Sequence, residues 1–133
     1  MNRRDFMWLT AAGAVTLPTA SWASTKLTYT PGMVRERLAA GETVLVDFTA
    51  TWCSTCRAQG RILENLKAAG AAYEKNITFI DVDWDTYGKG ELAFDLEIPR
   101  RSTLVLLRGD AELGRIVADT REANIKELLD RAL

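Results

Sequence analysis

At 133 residues, 47% apolar and 26% charged, the chain has the size and composition of one soluble globular domain. Its formal charge of −1 gives no electrostatic reason to bind nucleic acid or an anionic membrane surface. Histidine is absent and cysteine occurs twice, which excludes Ser-His and Cys-His catalysis, histidine metal sites and any Cys-rich zinc site within one chain. Chemistry must rest on two thiols, carboxylates and the backbone.

Residues 1–23 read as an address. Arg3-Arg4 precedes Asp5-Phe6, an apolar stretch runs from Met7 to Leu17, Pro18 breaks it, and Ser21-Trp22-Ala23 offers small residues for cleavage after Ala23. The apolar stretch is too short to span a bilayer, which takes about 20 residues. The arrangement resembles a twin-arginine export signal. It predicts a periplasmic domain over 24–133, with no membrane insertion after the signal is removed.

The remaining pattern predicts β-α-β-α-β-α-β-β-α. Lys26 to Thr30 alternates as a short edge strand. Thr30 is placed to cap a helix with Pro31 at its first position, running through Val34 and Leu38 to Gly41. Thr43 to Thr49 is β-rich and nearly all apolar, as a strand covered on both faces would be. A helix opens at the cysteines, carries Ile62, Leu63 and Leu66 on one face, and ends near Gly70. Ile77 to Asp83 is a further strand, and a short helix over Glu91 to Leu96 is ended with help from Pro99. Thr103–Leu107, a Gly109-Asp110 turn and Leu113–Ala118 form a hairpin. A last helix from about Thr120 buries Ile125, Leu128 and Leu129. Strands alternating with helices, then a hairpin and a closing helix, give an α/β fold with a mixed sheet of four to five strands.

Trp52-Cys53-Ser54-Thr55-Cys56 lies where a buried strand gives way to a helix. Two cysteines three apart can close a small disulfide ring. The first sits where unpaired backbone N–H groups and the helix dipole favour an anion. An ordinary thiol, with a pKa of about 8.5, is only roughly 3% thiolate at pH 7, whereas one tuned to about 7 is half ionised. Cys53 is therefore expected to be a reachable nucleophile, and Cys56 the thiol that resolves its mixed disulfide. A structural disulfide over so short a loop would stabilise little, and the pair alone lacks a third metal ligand.

Val46-Asp47-Phe48-Thr49-Ala50-Thr51-Trp52-Cys53-Ser54-Thr55-Cys56-Arg57 resembles the active-site segment of thioredoxins, and the likeness extends by pattern from Leu27 to Leu133. The resemblance implies a thioredoxin fold and a thiol–disulfide oxidoreductase with no cofactor and no metal. Its partners would be protein substrates with disulfides or thiols, and its electrons would come from a membrane thiol donor. It implies that Asp47 is the buried carboxylate that takes the Cys56 proton, and that Trp52 packs beside the disulfide and contacts substrate. A strand-end Asp47 in solvent is the competing reading.

Two positions depart from the thioredoxin pattern. Ser102 falls where the family has a cis-proline opposite the disulfide, unless a rearranged loop brings Pro99 there. The backbone of Arg101, Ser102 and Thr103 is the expected edge for an extended substrate. Asp81 stands in for the family lysine near the buried aspartate. The reading favoured is reduction of disulfides in exported proteins. Its alternatives are a disulfide oxidase or isomerase, and a non-catalytic module that holds a partner through residues 100–103.

Overall fold

A computed structural model of the chain describes residues 26–133. The expected leader and its cleavage point lie outside the described residues. Strand β2, Thr43–Thr49, occupies the middle of a five-stranded sheet of order β1-β3-β2-β4-β5. β1 (Lys26–Thr28) and β3 (Thr78–Asp83) run parallel to it, while β4 (Thr103–Arg108) and β5 (Ala111–Val117) form an antiparallel hairpin on its other side. The mixed sheet and the edge position of β1 agree with the alternation pattern.

Side chains of a strand alternate between faces, and the sequence of β2 exploits both. Val44, Val46 and Phe48 enter one core with Ile80, Val82, Val105 and Leu107, covered by α1 (Met33–Ala39) and α5 (Glu91–Asp95). Leu45 enters the other with Phe79, Leu104 and Leu106, covered by α2 (Ser54–Ala69), α3 (Ala71–Asn76) and α6 (Glu122–Asp130). Ile125, Leu128 and Leu129 of α6 are buried there as expected. Burying one such side chain contributes about 1.5–3 kcal/mol, so two cores of this size can carry a few poorly solvated polar groups. Asp47 has the parity of Leu45, and therefore lies beneath α2, the helix of the cysteines.

Three local expectations are corrected. Thr30 does not cap α1. Its carbonyl accepts the Met33 amide at 3.0 Å, Gly32 takes φ +88°, and the helix begins only at Met33. Proline followed by a left-handed glycine is the sequence of a type II turn, which here consumes the residues expected to start the helix. The stretch after Gly70 forms the short helix α3, and Trp84–Tyr87 forms the single turn α4. The last strand begins at Ala111, two residues earlier than its apolar run, because its exposed start still pairs with Arg108.

Candidate active site

Cys53 is the N-cap of α2, in extended conformation at φ −93° and ψ 111°, and its sulfur accepts the Cys56 amide at 3.2 Å. A thiolate there occupies the place a capping carboxylate would take, at the positive end of a 16-residue helix. Both cysteines are buried, with no bond between their sulfurs. Ser102 lies directly against them, its Oγ 3.2 Å from Cys53 Sγ and 3.0 Å from Cys56 Sγ. Burial alone pushes the Cys53 thiol up. The Cys56 thiol, the Ser102 hydroxyl, the Cys56 amide and Arg101 together outweigh it and hold the thiol down at about 6.

All peptide bonds among the described residues are trans, the one before Ser102 included. Ser102 nevertheless takes the place opposite the cysteines, fully buried at φ +62°, while Pro99 is exposed in the loop beyond α5. Its amide donates to the Phe48 carbonyl at 2.7 Å, and its carbonyl accepts from the Ala118 amide at 2.9 Å and Gln59 Nε2 at 3.1 Å. Thr103 is fully buried in β4, in register with Phe48 and Val117. The backbone edge expected over residues 101–103 therefore narrows to Arg101. Ser102 and Thr103 spend their main-chain positions inside the fold.

Cys53 is also less reachable than its motif suggests, at 2% exposure. Arg101 lies with Cζ 4.5 Å from the centre of the Trp52 ring and helps to hold the Cys53 thiol down, while its buried Nε has no hydrogen-bond partner. Trp52 is 55% exposed, and its indole N–H is held by both carboxylate oxygens of Asp85, at 2.9 and 3.1 Å. Asp85, Trp52 and Arg101 thus form a chain of contacts beside the nucleophile. Trp84 packs on the other side, against Ala50 and the two cysteines.

Asp47 is buried, as the thioredoxin resemblance implies, and one of its oxygens has no hydrogen-bond partner. Burial raises its pKa to about 8, helped by Asp81, its register partner on β3, and by the charge of Cys53, and opposed by Lys26. Burial pushes Asp81 up as well. Lys26 reaches Asp81 from the edge strand at 3.4 Å, so a cation stands beside the aspartate pair although Asp81 itself replaced one. Asp47, Cys56, Asp81 and Lys26 share the wall of an open cleft of about 720 Å³, which gives water a route to both the carboxyl and the second thiol.

Sequence reading missed Gln59. It is fully buried, and its amide donates to the carbonyls of Ser102 and Asp119, both at 3.1 Å. A signal existed: Cys56, Gln59, Leu63 and Leu66 follow the helical period of the buried face, and the one uncharged polar side chain in that stripe needed partners.

The Thioredoxin family profile matches residues 27–131, nearly all of the described chain. The chain belongs to the thioredoxin family. The thioredoxin of Mycolicibacterium smegmatis is 35% identical over 94 residues, covering 70% of this chain and 81% of its own length. That of Staphylococcus aureus is 30% identical over 89 residues, covering 67% and 81%. Among solved structures, Trxlp from Edwardsiella tarda superposes with a TM-score of 0.69 at 27% identity, over 79% of this chain and 98% of that one. Membership makes this thioredoxin-family chain a thiol–disulfide oxidoreductase acting on protein thiols and disulfides. Its serine in the proline position and its paired aspartates set it apart within the family pattern.

Proposed function

We propose that this protein is a periplasmic reductase, cutting disulfides in exported proteins with its Cys53/Cys56 dithiol. The observation that carries the reading is Cys53 Sγ capping α2, where it accepts the Cys56 amide at 3.2 Å and its thiol is held down at about 6. That value lies nearer to thioredoxin, at about 7, than to the strong periplasmic oxidants, at about 3.5, and so favours donation of electrons.

The Cys53 thiolate attacks a substrate disulfide, and the first substrate thiolate leaves and takes a proton from water. Cys56 then passes its proton to Asp47, attacks Cys53 Sγ and expels the second substrate thiolate. Two electrons reach the substrate, and the Cys53–Cys56 disulfide closes. Asp47 suits this timing. The Cys53 charge is one of the things that raises its pKa, and that charge vanishes when the mixed disulfide forms. Its carboxyl then becomes more acidic and gives its own proton to water in the cleft, so that a carboxylate is present to take the Cys56 proton. Arg101 and Trp52 would meet the incoming protein. A membrane thiol donor must then reopen the disulfide, because an oxidising compartment holds no reducing pool.

The reduction potential tests the direction. A value near about −270 mV is expected, and one above about −150 mV overturns the reductase in favour of an oxidase. The compartment rests on Arg3-Arg4 and is tested separately. Replacing both arginines by lysine should leave the protein in the cytoplasmic fraction, and unchanged export would remove the twin-arginine route.

A further inference from the structure

We propose that the Ser102 hydroxyl is a further catalytic group of this dithiol, donating its hydrogen bond to whichever of the two sulfurs carries the negative charge. The inference rests on the exchange through Cys53 and Cys56 described above, and holds for that exchange in either direction. One oxygen lies 3.2 Å from the first sulfur and 3.0 Å from the second, so neither has to move to receive it. A serine hydroxyl carries a single proton and can donate to one acceptor at a time, with free choice of direction about its Cβ–Oγ bond. The rest of the residue is fixed. Its amide is bonded to Phe48, its carbonyl to Ala118 and Gln59, and its backbone is held at φ +62°, a conformation L-residues rarely take. Strained backbone of this kind collects at functional sites. A proline in the same place would present only hydrocarbon.

In the reduced protein the hydroxyl donates to the Cys53 thiolate. Attack on a substrate disulfide moves that electron pair into the new Cys53–substrate S–S bond, and the charge departs on the first substrate sulfur. Cys56 next loses its proton to Asp47, and the hydroxyl turns to the new Cys56 thiolate. That sulfur then forms the Cys53–Cys56 bond as the Cys53–substrate bond breaks. Ser102 gains and loses no proton. It supplies a donor already in position for both charged states, with only a hydrogen to reorient.

The test uses the full protein carrying Ser102→Ala or Ser102→Gly. The second variant relieves the left-handed backbone, so the hydroxyl is removed without added strain. Reaction with a symmetric aromatic disulfide releases one coloured thiolate on attack and a second on resolution, and ultraviolet absorbance follows the Cys53 thiolate against pH. Both variants should raise the titration midpoint by about one unit and slow the second release about tenfold, the two measures of one lost charge-assisted bond. A midpoint that stays in place, or a second release within about twofold of the parent in either variant, overturns the proposal. A purely structural serine would move melting temperature and leave the midpoint alone. A parent protein that releases no coloured thiolate at all would instead defeat the Cys53–Cys56 reading itself.

Discussion

Two buried acids flank Cys56 and depart from their ordinary strengths in opposite directions. Cys53 becomes a stronger acid, at about 6, and Asp47 a weaker one, at about 8. Burial pushes both the same way, so burial does not decide the outcome. Donors do. The Cys53 thiol is held down by the Cys56 thiol and amide and the Ser102 hydroxyl, with a last and smallest help from Arg101. Asp47 keeps an oxygen with no partner and faces a second aspartate across the strand pair. The site thus pairs a group that holds charge at neutral pH with one that resists it, and Cys56 is neighbour to the first and shares a cleft with the second.

The sharpest way to break this comparison is to remove the charge from the unfavourable side. Asp47→Asn should stabilise the protein, and the sign follows from the raised pKa. Between the unfolded value of 3.8 and the folded value of about 8, the folded state holds a proton that the unfolded state releases, so stability falls as pH rises through that window. The gain from Asn should be close to nil below pH 4 and about 5 kcal/mol at pH 8, measured by urea unfolding of the reduced proteins. An equal gain at both pH values would show that the carboxyl is not charged at cost. A smaller effect is expected on the favourable side. Arg101→Ala removes the last and least of the groups that hold the Cys53 thiol down, and should uncover its sulfur. Alkylation of Cys53 should become faster at pH 9, where the thiol is ionised in both proteins, while its midpoint rises by roughly half a unit. Alkylation no faster than the parent at pH 9 would mean that Arg101 does not cover the thiol.

The sequence made the scaffold and the dithiol legible because both are written locally. Strand β2 announces itself by six apolar or β-branched residues around one aspartate, and the cysteine pair by its spacing at a helix start. Helix α3 buries only Tyr73 and α4 buries nothing, so neither leaves a period to read. The regulating contacts are non-local. Ser102 meets Cys53 across 49 positions, Gln59 meets Asp119 across 60, and Trp52 meets Asp85 across 33. Nothing in the neighbouring residues encodes such a meeting. The fold supplies it. The thioredoxin resemblance correctly directed attention to position 102, but it spoke of a backbone edge, and the side chain proved to be what touches the sulfurs.

Gln59 carries a mechanical consequence. It stands one turn along the helix that Cys53 caps, and its two amide hydrogens clamp the serine loop and the segment leading into α6. The helix that carries both sulfurs and the loop that carries the Ser102 hydroxyl are thereby fastened to one another, so the spacing between hydroxyl and sulfurs is set by a residue that touches neither thiol.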